Sequence, residues 1–189
     1  MRELRIHGRG GQGAVIASKV LAVAMFREGR WVQSFPAFGV ERRGAPVTAF
    51  LRIADAPIQL RCEIVAPDDL IVLDPTLLLA IDITTGLKPG GSILINSPLP
   101  AAAYAHLGPF RIATVDASAL ARKHGLGSKT QPIVNTAIVG AFASFSQLVS
   151  LDAVCAAIGE EVPQHSTANI AAAREAAELV TIAQEAAHV

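Results

Sequence analysis

A run of glycines near the start of the 189-residue chain carries its sharpest chemical signal: His7-Gly8-Arg9-Gly10-Gly11-Gln12-Gly13. Gly8, Gly10 and Gly13 make a G-x-G-x-x-G pattern. It follows residues 4–7, which read as a short strand. It precedes residues 14–28, which read as a helix with Ile16, Val20 and Val23 at helical spacing. Glycines let a backbone turn sharply and come close to a ligand, and a helix begins with free N–H groups and a positive dipole end. Together these suit a phosphate or another anion. The same glycines also serve a helix that must pack tightly on its strand, and the motif alone leaves both roles open.

The surroundings of the motif narrow the chemistry. A dinucleotide enzyme places an Asp or Glu about 20 residues further on, at the end of the second strand, to hold the ribose hydroxyls. Here that strand, residues 31–35, ends Val32-Gln33-Ser34-Phe35 without an acid, which disfavours NAD and FAD. No Gly-Lys-Ser or Gly-Lys-Thr follows the glycines, so a nucleotide-triphosphate loop is excluded as well. Arg42 and Arg43 stand in the loop after the second strand, residues 36–45, between Gly39 and Gly44. If strands one and two are parallel, that loop lies at the same sheet end as the glycines. Guanidinium groups there suit a phosphate or carboxylate, or an ion pair with Glu41 or a neighbouring subunit. Lys19 is placed to reach back along the first helix, and Asn96-Ser97 ends a later strand at the same edge. Asp68-Asp69 and Asp74 read as a turn and a strand-end cap. The five histidines show no metal-ligand or acid–base spacing, and Ser34 and Ser97 lack the nucleophile-elbow pattern of a hydrolase.

The elements that must hold these residues alternate in type. Residues 47–53 alternate apolar and polar side chains as a half-buried strand does, and residues 70–73 and 92–95 are short apolar runs suited to buried parallel strands. Residues 75–83 read as a helix, 111–115 as a strand and 118–124 as a short helix. From Ile138 onward the pattern is helical, with Ile138, Phe142, Phe145 and Val149 on one face and residues 151–158 and 168–187 continuing in helix. The expected fold is α/β: a single Rossmann-like domain over residues 1–189, with a mostly parallel sheet, helices on both faces and a helical C-terminal part. Sixteen Lys and Arg balance sixteen Asp and Glu, which argues against a nucleic-acid binder. Charged residues are only 17% and hydrophobic ones 51%, with mean hydropathy +0.43, as expected of a chain partly covered by partners. No apolar run is long enough to span a membrane and the first residues lack a signal-peptide core. Cys62 and Cys155 form no Cys-x-x-Cys pair, so an iron–sulfur cluster or structural zinc is not expected, and a cytoplasmic setting is.

Taken together, several stretches resemble the gamma subunit of the 2-oxoacid:acceptor oxidoreductases, the group that contains pyruvate:ferredoxin oxidoreductase. They are Gly8 to Val15, Ser34-Phe35-Pro36 to Gly44-Ala45-Pro46 with Glu41-Arg42-Arg43, Asp74-Pro75-Thr76, Lys88-Pro89-Gly90-Gly91 leading to Asn96-Ser97, and later Asn135-Thr136 and Asn169. The resemblance covers nearly the whole chain. It implies a subunit without redox centres of its own. Thiamine diphosphate would be held by alpha and beta partners, and iron–sulfur clusters by beta and a ferredoxin-like delta partner. It further implies a share in binding coenzyme A at a subunit boundary, through Gly10, Gly11, Gln12, Gly13, Ser18, Lys19, Arg42 and Arg43, with Asn96 at the same edge. The sibling indolepyruvate oxidoreductase beta subunit shares the glycine loop, but Glu41-Arg42-Arg43-Gly44-Ala45-Pro46 favours the gamma subunit. An aryl-glyoxylate enzyme passing electrons to NAD through a flavin subunit would use the same kind of chain. A purely structural interaction module is the alternative from another class.

Overall fold

In the computed structural model, residues 1–37 and 44–183 are described. The chain runs β1 (Arg2–Arg9), α1 (Ala14–Arg27), β2 (Trp31–Pro36), β3 (Pro46–Ala54), β4 (Asp69–Val72), β5 (Ser92–Asn96), β6 (Arg111–Val115), α2 (Ala117–Lys123), α3 (Asn135–Ser146), α4 (Leu151–Glu161), α5 (Ser166–Leu179) and β7 (Thr181–Ile182). The strands form one sheet in the order β2-β3-β1-β4-β5-β6-β7. β1, β4, β5 and β6 pair in parallel, β3 lies antiparallel between β1 and β2, and β7 is antiparallel to β6. β2 therefore runs in the same direction as β1. The α/β, mostly parallel sheet expected from the pattern is present, with β3 and β7 running against the rest.

The two faces are covered unequally. On one, Leu4, Ile6, Leu51, Ile71 and Leu94 pack against α1 to α5 through Val20, Leu21, Leu120, Ile138, Phe142 and Ile158. On the other, Leu70, Val72, Ile93, Ile95 and Ile112 meet Ile83, Leu87, Ala101 and Tyr104. That second cover is built of loops and two 3₁₀ segments, Pro75–Leu79 and Ala101–Leu107. α3 and α5 approach so closely that a side-chain carbon at Gly140 would collide with the Ala173 carbonyl.

Three expectations change. First, residues 75–83 do not form a full helix. Asp74 caps a 3₁₀ turn by accepting from the Thr76 amide, and the turn ends at Leu79. Second, the last helix, expected over 168–187, is α5; Val180 after it is extended and the chain enters β7. Residues 184–187 lie outside the described residues. Third, β3 is more than half buried, because its polar positions are covered too. Arg52 is only 1% exposed, and its guanidinium is satisfied by Glu3 at 2.8 Å, Gln33 at 2.9 Å and the Cys62 carbonyl at 2.8 Å. Phe35 lies within cation–π range of the same group, 5.5 Å from ring centroid to guanidinium carbon. A buried charge survives only when paired and hydrogen-bonded in this way; losing one partner of such a pair typically costs about 3–5 kcal/mol.

Candidate functional site

β1, β4, β5 and β6 end at one edge of the sheet, and the loops that follow them enclose a cleft of about 470 Å³. Gly10, Gly11, Gln12, Asp74 and Asn96 line it, with Thr130, Gln131 and Pro132 from the segment before α3 opposite them. A cleft at the carboxyl ends of parallel strands is where α/β folds bind their ligands, because the chain direction points helix N-termini there.

The glycine loop is strapped to the start of β3 at Gly10. Gly10 donates to the Ala45 carbonyl at 2.9 Å and accepts from the Gly44 amide at 3.1 Å, extending the β1–β3 ladder by one step. Gly44, the neighbour of Arg43 in sequence, thus lines the cleft beside the glycines. Arg42 and Arg43 themselves lie outside the described residues.

Inside the loop, Gln12 works as a strut. Its carbonyl accepts from the Arg9 amide at 2.8 Å, and its amide donates to Asp74 at 3.1 Å. Arg9 donates to Asp74 at 3.0 Å, to the Thr76 hydroxyl at 2.9 Å and to the Gly44 carbonyl at 3.2 Å. Asp74 also accepts from the Thr76 amide at 2.9 Å and hydroxyl at 2.6 Å. Burial pushes the Asp74 carboxyl up, but the Thr76 and Gln12 hydrogen bonds and the Arg9 charge outweigh it. Its pKa lies below the ordinary carboxylate value.

Asn96 is a second strut. Its amide nitrogen donates to the Leu73 carbonyl at 2.8 Å and to Ser118 at 3.0 Å, and its oxygen accepts from the Ser118 amide at 3.2 Å. It forms cleft wall with its donors already engaged. Gly13 has φ +80° and stands as the N-cap of α1. A side-chain carbon there would come within 2.5 Å of Asn135 Nδ2.

Two expected site residues stand elsewhere. Ser18 is fully buried in α1, donating to the Val15 carbonyl at 2.8 Å and accepting from Ser34 at 3.0 Å. Lys19 pairs with Glu161 at the end of α4, 2.6 Å away. Both lie beyond the first turn of α1, which starts at Ala14, on sides of the helix that meet β2 and α4. Arg9 and Asp74 line the cleft without being among the expected site residues. The Asp74-Pro75-Thr76 cap was visible locally, but the Arg9–Asp74 pair spans 65 residues and no spacing rule reveals it.

His7, next to the loop, is buried and neutral. Burial, and then the Arg5 charge, lower its pKa from 6.5 to about 3. Arg5 donates to its Nε2 at 2.9 Å. Among the described residues, no group of three or more His, Cys, Asp or Glu side chains is placed to hold a metal ion, and no helix is long and apolar enough to cross a membrane.

This is an α/β chain with a cleft at its strand ends, walled by a glycine loop, and with no acid in β2. Residues 3–179 match the family model described as pyruvate ferredoxin/flavodoxin oxidoreductase. The chain belongs to that family. It is 50% identical over 163 residues to the pyruvate/ketoisovalerate oxidoreductases common subunit gamma of Thermococcus kodakarensis, covering 85% of this chain and 86% of the relative. It is 49% identical over 158 residues to the pyruvate synthase subunit PorC of Methanocaldococcus jannaschii, covering 84% of each. The crystal structure of the pyruvate oxidoreductase subunit PORC of Thermotoga maritima superposes with a TM-score of 0.80 at 34% identity, over 97% of this chain and 98% of that one.

Proposed function

We propose that this chain serves as the gamma subunit of a cytoplasmic, thiamine diphosphate-dependent 2-oxoacid:acceptor oxidoreductase, and that its cleft takes the phosphate end of coenzyme A. The complex would convert a 2-oxoacid and coenzyme A to an acyl-CoA and carbon dioxide, with ferredoxin as electron acceptor. Thiamine diphosphate would be held by alpha and beta subunits, and the iron–sulfur clusters by beta and a ferredoxin-like delta subunit. This chain would position coenzyme A at their boundary.

The observation that carries the reading is the cleft itself. It sits at the strand ends, beside an uncapped helix N-terminus, and is walled by Gly10, Gly11, Gln12 and by Gly44. Within Gly10 to Gly13, the Gly11 and Gly13 amides would bring backbone donors to the phosphates, while those of Gly10 and Gln12 hold the loop through the Ala45 and Arg9 carbonyls. Arg42 and Arg43, one and two residues before Gly44, would add guanidinium forks. Asn96 would hold the far wall, while Ser18 and Lys19 keep the packing roles described above. The relatives' name adds support from another direction. A gamma subunit common to pyruvate and ketoisovalerate enzymes is suited to what both reactions share, and coenzyme A is shared where the 2-oxoacid is not.

Titrating the assembled complex with coenzyme A, wild type against Arg43→Ala, tests the reading. Loss of one charge-assisted hydrogen bond costs about 1.5–3 kcal/mol, so the coenzyme A constant should rise about 10- to 150-fold while that for the 2-oxoacid holds. Equal changes in both, or none, would leave this chain a structural module.

A further inference from the structure

Among the described residues that line the cleft, two are charged, Arg9 and Asp74, and they neutralise each other across 3.0 Å. Their other hydrogen bonds run to Gly44, Thr76 and Gln12. The interior between these walls is therefore an uncharged space, with apolar surface from Leu73, Pro75, Pro132 and Val134. An unpaired phosphate is costly to bury there. Its place is at the glycine loop, where Gly11 is exposed.

On the wall formed by Asn96 and Ser118, one hydrogen is unspent. Asn96 Nδ2 donates to the Leu73 carbonyl at 2.8 Å, and Oδ1 accepts from the Ser118 amide at 3.2 Å, so the orientation of the Asn96 amide is settled. Nδ2 carries only hydrogens. At its second contact, 3.0 Å away, the Ser118 hydroxyl oxygen must accept. The hydrogen of that hydroxyl then has no acceptor among the described residues. Ser118 is partly buried and lines the cleft, so the hydrogen is offered to whatever fills it. Asn96 holds the hydroxyl in place.

We propose that Ser118 is a ligand-binding residue, donating its hydroxyl hydrogen to the adenosine end of coenzyme A. This rests on the reading of the cleft as the coenzyme A site and assigns its interior an occupant. In coenzyme A the pyrophosphate lies between the adenosine and the arm that carries the thiol. The thiol must leave this chain to reach thiamine diphosphate in a partner. With the pyrophosphate at the glycine loop, the end left for the interior is the adenosine. Its base is flat, uncharged and rich in acceptor nitrogens, which suits apolar walls and a hydroxyl donor.

Ser118→Ala removes the hydroxyl alone, since Asn96 keeps both the Leu73 carbonyl and the backbone amide of residue 118. Calorimetric titration of the assembled complex should show coenzyme A affinity reduced about 2- to 12-fold, as for one uncharged hydrogen bond. Adenosine 3′,5′-bisphosphate, used as a competitor, should lose affinity by the same factor. Inorganic pyrophosphate should compete equally well in wild type and variant, and the Michaelis constant of the 2-oxoacid should hold. Unchanged coenzyme A affinity, an equal loss for pyrophosphate, or an equal rise in both substrate constants overturns the assignment. Should Ser118→Ala not assemble, Ser118→Cys, whose thiol is a weak donor, is held to the same standard. If Arg43→Ala weakens coenzyme A but the Ser118 variants do not, the assignment falls and the cleft reading stands. If neither weakens it, both fall.

Discussion

Replacing Asp74 with asparagine strips the glycine loop of its electrostatic anchor while hardly changing its shape. One carboxylate oxygen takes two hydrogen bonds from Thr76, and an asparagine carbonyl accepts those equally well. The other accepts from Arg9 at 3.0 Å and Gln12 at 3.1 Å; in Asp74→Asn an NH₂ group would face two donors there. Hydrogen bonds to a charged group contribute about 1.5–3 kcal/mol each. The Arg9 side chain is 29% exposed, so solvent screening moves that pair toward the lower end, and about 2 kcal/mol is a fair sum for the loop. Arg9 also holds the Gly44 carbonyl, so the Gly44–Gly10 strap loosens with it. A ligand that needs the loop closed must then close it, which lowers apparent affinity by up to about 30-fold for 2 kcal/mol. Calorimetric titration of the assembled complex with coenzyme A reads this directly. The depressed pKa of Asp74 sets the pH window. Its contribution is fully present above the unfolded carboxylate value, near 4, and is lost only as pH falls through the lower folded value. The gap between wild type and Asp74→Asn should therefore be flat from pH 6 to 8 and close only below about 4. Wild-type affinity in Asp74→Asn at pH 7 would refute the anchor.

Two further outcomes follow from the same geometry. Gly13→Ala meets both a left-handed backbone and the Asn135 amide, whereas Gly11→Ala meets only the backbone strain, since nothing lies within 4 Å of its new carbon. The first should lower the melting temperature and coenzyme A affinity by clearly more than the second, and equal effects would remove the Asn135 contact from the explanation. His7 is neutral in the fold down to about pH 3 but takes up a proton near 6.5 when unfolded, so the unfolded chain binds more protons between these values. Stability should decline by about 1.4 kcal/mol per pH unit as pH falls below 6.5. In denaturant titrations at pH 7, 6 and 5, His7→Asn should show a shallower decline than wild type.

The strand–glycine–helix unit at residues 2–27 was legible in the chain because its signals are local: an apolar run, glycines able to take positive φ, then helical periodicity. The buried parallel strands were legible for the same reason, since being covered on both faces makes them short and apolar throughout. The lack of a ribose-binding acid after β2 was a matter of composition at one position, and it turned the reading away from a dinucleotide enzyme. Local signals also misled. Ser18 and Lys19 follow the motif closely, yet helix geometry directs one to Ser34 and the other to Glu161. Strand order was beyond local reach: β3 enters between β1 and β2 because its backbone pairs with both, and alternation of side chains says nothing about which neighbours a strand will choose. Burial of Arg52 follows from that placement, since its partners come from β1, β2 and the segment near Cys62. The site shows the same division. Residue types and glycine spacing suit an anion or a tightly packed helix, but the Arg9–Asp74 anchor and the meeting of Gly13 with Asn135 join segments far apart in the chain. Such contacts exist only once the sheet has brought strand ends to one edge, because hydrogen bonds act over about 3 Å of space irrespective of separation along the sequence.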